Sequence, residues 1–170
     1  MYLGYQKNIN GELFVAVTGK TAEELELLPM KLEKITEASE DYSLYDGKFL
    51  TAAEILQIAK VKKLEEIRSD FEDEVELTGH IAVAELDGFE VDARRKDLIN
   101  INGLIDIYDE PVAFFGYNDF RPNTNWEELH LIKRAIIKAG NDRYVKKWNL
   151  ENLIDQAKSL AELESVAWGV

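Results

Sequence analysis

Apolar residues fall into two distinct rhythms along the chain, and the rhythm changes near residue 50. Before that point short alternating runs are separated by turn dipeptides, whereas after it apolar residues recur every three or four positions. Tyr2 to Asn8 and Glu12 to Thr18 flank Asn10-Gly11, a dipeptide suited to the two positive φ angles of a type I′ turn, so the pattern predicts a hairpin. Thr21-x-x-Glu24 has the form of a capping box and opens a short helix that Pro29 must end. Lys31 to Thr36 and Asp41 to Tyr45 read as further strands, and Asp46-Gly47 turns the chain back into Phe49 and Leu50.

A second capping box, Thr51-x-x-Glu54, precedes Ile55, Ile58, Val61, Leu64, Ile67, Phe71 and Val75. This stripe in a Lys/Glu-rich background predicts one amphipathic helix over 51–78, stopped by Thr78-Gly79 and roughly 40 Å long. Such a helix either packs on its own domain or meets a partner, and because the stripe departs from a strict heptad it does not predict a regular coiled coil. Ile81 to Leu86 and Phe89 to Val91 then form a hairpin around Asp87-Gly88. Asp92 is placed to cap a helix carrying Leu98, Ile101, Leu104 or Ile105, and Tyr108, which Pro111 closes. The aromatic run Val112 to Tyr117 reads as a buried third strand. Thr124-x-x-Glu127 starts a helix with Trp126, Leu129, Ile132, Ile136 and Ala139 on one face, and Gly140-Asn141 is a suitable stop for it. A second helix follows from about Asp142 to Ala157, and Ser159-x-x-Glu162 opens a last short one.

These elements define an α+β protein with a small N-terminal β-hairpin unit (1–50), a long linking helix (51–78) and a C-terminal domain (79–170) in which a short antiparallel sheet is packed by helices. At 170 residues with 46% hydrophobic and 10% aromatic content, the chain is able to bury a core. The absence of cysteine excludes disulfides, thiolate nucleophiles and Cys-ligated zinc, and agrees with synthesis in a reducing compartment. Neither a signal segment nor an apolar run long enough to span a membrane is visible, so no membrane partner is expected.

The formal charge of −13 argues against general nucleic-acid binding. It is unevenly spread: −4 over 1–50, −4 over 51–80, −6 over 81–120 and +1 over 121–170. No phosphate-binding loop, nucleophile elbow or zincin motif occurs, and His80 and His130 each lack an evident orienting partner, so no catalytic, cofactor-binding or metal residue is assigned. The run Glu72, Asp73, Glu74 and Glu76 sits at the unfavourable end of its helix dipole and invites a cation or basic partner. Lys133, Arg134, Lys138, Arg143, Lys146 and Lys147, interleaved with Tyr144 and Trp148, suit either a salt-bridged packing surface or, less economically, a nucleic acid. The candidate partner-contact residues are therefore Ile67, Phe71, Glu72, Asp73, Glu74, Lys133, Arg134, Lys146 and Lys147.

The order of parts also resembles a known family. Asp46-Gly47-Lys48-Phe49 leads into the long helix with Glu66-Ile67-Arg68, followed by Asp87-Gly88-Phe89 with Asp92, by Asn118-Asp119-Phe120, by Trp126-Glu127-Glu128-Leu129 and Tyr144, and by Ala157-x-Ser159-Leu160-x-Glu162-Leu163. Over roughly residues 55 to 167 this is similar to a domain of unknown function in bacteriophage and prophage proteins of the tail-fibre region. The chain departs from it in carrying Leu98, Ile99 and Ile101 where the family has small residues. The resemblance implies a non-enzymatic tail or tail-fibre assembly protein that binds other tail proteins, self-associates as a homo-oligomer, and resides in the virion tail or in the host cytoplasm during assembly. Two other classes stay open on the residues alone: an acidic DNA mimic, and a metal-dependent enzyme built on Asp106, Asp109 and Glu110.

Overall fold

The protein is α+β; its computed structural model describes residues 1–39 and 41–169, which leaves Val170 of the expected C-terminal domain outside the described residues. It divides into two compact units, Met1–Val61 and Lys62–Val170, so the boundary falls inside the long helix rather than on either side of it.

In the first unit, β1 (Tyr2–Lys7) pairs antiparallel with β2 (Leu13–Gly19) through a register shift after Gly4. The connection is wider than a two-residue turn. Asn8 organises it, its Oδ1 accepting the N–H groups of Asn10 and Glu12 (2.9 and 3.0 Å), while Gly11 alone takes a positive φ of 80°. The side chain of Asn8 thus replaces the expected type I′ turn with an Asx-closed loop. The capping box at Thr21 and Glu24 forms as expected and starts α1 (Ala22–Glu26), which ends before Pro29. β3 (Lys34–Glu37) returns to the other edge of β1, giving the order β2-β1-β3. β4 (Tyr42–Tyr45) and β5 (Lys48–Thr51) form a separate ribbon whose turn residues Asp46 and Gly47 both have positive φ, 49° and 76°. The mirror-image turn therefore sits here and not at Asn10-Gly11.

α2 (Ala52–Asp73) opens on the predicted box: the backbone N–H of Thr51 donates to Glu54 Oε2 (2.8 Å) and the Glu54 N–H to Thr51 Oγ1 (3.3 Å). The Thr51 backbone N–H first, and then the Thr51 hydroxyl, which donates to Glu54 Oε2 at 3.0 Å, hold the Glu54 carboxyl below its ordinary range. The apolar stripe is buried at Ile55 and again at Ile67 and Phe71, but open at Ile58 and Val61 between them. The last predicted turn is helical but widened into a π turn, Glu74–Thr78.

In the second unit β6 (His80–Val83) pairs with β7 (Phe89–Asp92) across a 3-10 turn at Ala84–Leu86, so the first strand is shorter than its apolar run. α3 (Arg95–Ile107) is capped not by Asp92, which lies in the strand, but at Arg94, whose backbone N–H and Nε both donate to Asp97 (3.1 and 2.7 Å). β8 (Val112–Phe115) and β9 (Phe120–Thr124) make another two-stranded ribbon, so the expected single sheet is two ribbons. α4 (Trp126–Gln156) starts one residue later than expected: Asn125 and Glu128 form the box, and Thr124 is a buried strand residue. α4 also runs unbroken through Gly140-Asn141, where a stop was expected. Gly140 lacks the positive φ of a helix stop, and Arg143 one turn later is buried on the same face as Ile136 and Ile154. α5 (Leu160–Glu164) follows the Ser159 cap, as predicted.

Val83, Leu86, Phe89, Val91 and Ala93 meet Ile101 of α3 and Leu129, Ile132 and Ile136 of α4 in the main core. Each fully buried branched side chain there contributes about 2–3 kcal/mol.

Candidate interaction surface

The acidic end of α2 supplies the first candidate site, and its charges are answered from within the second unit. Arg143, only 7% exposed, reaches Glu74 Oε1 through Nε (2.9 Å) and the carbonyl of Ala93 through Nη1 (2.6 Å). Glu74 Oε2 also accepts the indole N–H of Trp168 (2.6 Å). Burial pushes the Glu74 carboxyl up, but the bonds from Trp168 and Arg143 and the charges of Arg143 and Lys146 outweigh it and hold the group below its ordinary range. Gly79 makes this packing possible, since a Cβ there would sit 2.5 Å from the Glu74 carbonyl and 2.6 Å from Arg143 Nη2. Glu76 pairs with Arg95 (3.0 Å), so two cations offset the helix-dipole cost of about 0.3–1 kcal/mol per misplaced carboxylate.

The predicted contact residues therefore separate. Ile67 is fully buried and Phe71 is 6% exposed, which corrects the expectation that they face a partner. Phe71 packs at a tilt against Tyr144 and edge-to-face against Trp168 (4.9 and 5.8 Å between centroids), with the Lys147 ammonium 4.9 Å from its ring centre. Lys146 lies 4.9 Å over Trp168. Glu74, Lys146 and Lys147 thus close an internal cluster. Glu72, Asp73 and Arg134 are exposed, and Lys133 is half-buried. Trp168 carried no recognisable signal in the sequence. Arg143 carried one: it stands seven residues after Ile136 and eleven before Ile154, on the core-facing stripe.

Exposed aromatic surface lies elsewhere. The run Val112 to Tyr117, expected to be buried, alternates instead. Val112 and Phe114 pack on the core, whereas Phe115 is 76% exposed and stacks on its cross-strand neighbour Phe120 (4.7 Å). The end of this ribbon is fixed from both sides. Asp119 Oδ1 accepts the Phe120 N–H (2.7 Å), the Tyr117 N–H donates to the Glu90 carbonyl (2.9 Å), and the Tyr117 ring lies parallel to His80 at 4.1 Å. Gly116 presses on the Glu90 carbonyl and the Phe89 ring so closely that a Cβ would not fit. On α4, Trp126, Ile137, Tyr144 and Trp148 share one exposed sector at spacings of eleven, seven and four.

The remaining chemistry is sparse. His80 Nδ1 is 3.3 Å from the Thr78 carbonyl, and His130 packs its ring on Trp126 at 3.9 Å. Among the described residues no three His, Asp or Glu side chains are grouped to hold a metal, and Asp106, Asp109 and Glu110 are exposed. Among the described residues no helix is long and apolar enough to cross a membrane. A cavity of about 350 Å³ opens between α3 and α4, lined in part by Val75, Leu98, Ile137, Gly140 and Tyr144. Compared with known protein families, curated proteins and solved structures, the chain finds no match.

Proposed function

We propose that the protein is a non-enzymatic bacteriophage or prophage tail component, or a tail-fibre assembly factor, that binds another tail protein through the aromatic end of β8 and β9. The observation that carries this reading is the stacked, solvent-facing pair Phe115 and Phe120. Aromatic anchors contribute most to binding when they are held in place beforehand, because less side-chain freedom is lost on association. Gly116, the Tyr117 bond to Glu90 and the Asp119 bond to Phe120 provide that restraint. The class of partner comes from the resemblance to proteins of the tail-fibre region. The protein would then act in the virion tail or in the host cytoplasm during assembly.

The test is titration calorimetry of the purified protein against the tail-fibre protein of the same phage. Saturable binding is expected, weakened by about tenfold or more in Phe115→Asp with unchanged circular dichroism. Binding that survives Phe115→Asp, or no binding by the wild type, would sink the proposal.

A further inference from the structure

Asparagine followed by glycine occurs twice in the chain, at Asn10-Gly11 and at Asn102-Gly103, and the fold treats the two copies in opposite ways. The first lies in the loop between β1 and β2, where residues 8 to 12 are all exposed. Gly11 has a φ of 80°, and a Cβ built on it would meet nothing within 4 Å, so nothing crowds this side of the loop. Asn8 holds the loop closed: its carbonyl accepts the Gly11 N–H (3.0 Å), and its Oδ1 accepts those of Asn10 and Glu12 (2.9 and 3.0 Å). The second copy is half-buried in the middle of α3, where the Gly103 N–H belongs to the helical ladder.

We propose that Asn10 is a site of spontaneous deamidation, open to reaction in its loop while the same dipeptide in α3 is protected. The backbone nitrogen of Gly11, after losing its proton to hydroxide, attacks Cγ of Asn10. The new N–Cγ bond closes a succinimide ring, and the Cγ–Nδ2 bond breaks, Nδ2 leaving as ammonia once it has taken a proton from water. Water then opens the ring at either carbonyl. Cleavage at Cγ gives aspartate, whereas cleavage at the main-chain carbonyl gives isoaspartate, with an added methylene in the backbone. Overall, water is consumed and ammonia released, and the electron count of the chain is unchanged. Glycine favours the attack because it sets no Cβ beside the nucleophilic nitrogen. That nitrogen must first be released from its hydrogen bond. At Gly11 this needs only the opening of an exposed loop, but at Gly103 it needs the melting of a helix whose Ile101 is anchored in the main core. Local opening is easiest at exposed loops and approaches the full unfolding free energy in packed elements, so the two sites part in rate. Either product sets a new carboxylate two residues from Glu12, in a segment that already carries −4 over residues 1–50. Isoaspartate also lengthens the main chain between the two N–H groups that now share Asn8 Oδ1. This chemistry is independent of the tail-protein reading and is tested without any tail-fibre partner.

The experiment is incubation of the full chain at mildly alkaline pH, with samples digested by trypsin at intervals and sequenced by mass spectrometry. Lys20 and Lys96 lie between the two dipeptides, so each is followed in its own peptide. Asn10 is expected to gain the mass of the amide-to-acid exchange about tenfold or more faster than Asn102, and the product to be methylated by an isoaspartate-specific methyltransferase. In guanidinium chloride the two rates should converge, which shows that the fold and not the local sequence separates them. Asn8→Ala, which removes the side-chain anchor of the loop, should speed the reaction at Asn10 several-fold and leave Asn102 unchanged, and Asn10→Gln, which needs a larger ring, should abolish it. A folded chain whose Asn10 stays intact while the denatured chain reacts, or one in which Asn102 keeps pace with Asn10, overturns the proposal.

Discussion

The two units reach order by different means. In Met1–Val61 the buried hydrophobics among the described residues are Leu3, Leu25 and Ile55, and the rest of the unit is short strands joined by turns that side chains and backbone close locally. In Lys62–Val170 nine buried residues form one continuous core, and a further cluster joins the end of α2 to α4 and the C-terminal segment. Both contain short antiparallel ribbons, yet only the second backs them with two long helices. Local bonding can set a conformation, but each such bond returns only about 1 kcal/mol net, whereas buried apolar area supplies most of the margin against chain entropy. The first unit should accordingly open at lower free energy and expose its amides to exchange first.

Cutting one core residue in each unit breaks this comparison most directly. Ile132→Ala should cost about 4 kcal/mol and shift the denaturant transition of the second unit, because the main core cannot close over the lost volume. Leu25→Ala should cost about 2.5 kcal/mol and act on the first unit alone. Hydrogen exchange resolved by residue reads both, and equal loss of protection in both units from either variant would erase the distinction.

The polar cluster is sharpened by pH. Glu74 is held below its ordinary range in the folded chain, so its contribution is complete above the unfolded value of about 4.3 and fades as pH falls through the lower folded value. At neutral pH Glu74→Gln should cost about 1.5 kcal/mol, reduced from the figure for a fully buried pair by the partial exposure of the carboxylate. Urea midpoints should converge for wild type and variant towards pH 3, and a constant difference across that range would show that the charge plays no part. The smallest effect is a gain: Gly140 lies inside α4, where a Cβ would meet nothing within 4 Å, so Gly140→Ala should stabilise the protein by about 0.5–1 kcal/mol in a thermal melt. A loss there would mean that the position is tighter than its open surroundings indicate.

Much of this architecture is visible in the linear pattern, and the failures share one origin. Capping signals at Thr21, Thr51 and Ser159 form as read, because a cap needs only residues three apart. At Thr124 the neighbouring Asn125 wins the cap, being the stronger former and free of the strand. Gly140-Asn141 looks like a stop, but what carries α4 through it is Arg143 held by Glu74, 69 residues away. Breaking the helix there also breaks the phase that marks Arg143 as core-facing. For the candidate site the sequence points to Phe71 and Glu74 as partner contacts, but Arg143 and Trp168 turn the cluster inward. Exposure of Phe115 was invisible because apolar composition does not record which face of a two-stranded ribbon meets the core.

The three tryptophans also divide the molecule optically. Trp126 and Trp148 stand in solvent, while Trp168 is buried with its indole N–H tied to a carboxylate and an ammonium over its ring. A water-soluble quencher will therefore extinguish two emitters and spare the third. The protected fraction of the emission reports whether the C-terminal segment is docked, with no label attached, and acid release of the Glu74 bond would bring that last fluorophore within the quencher's reach.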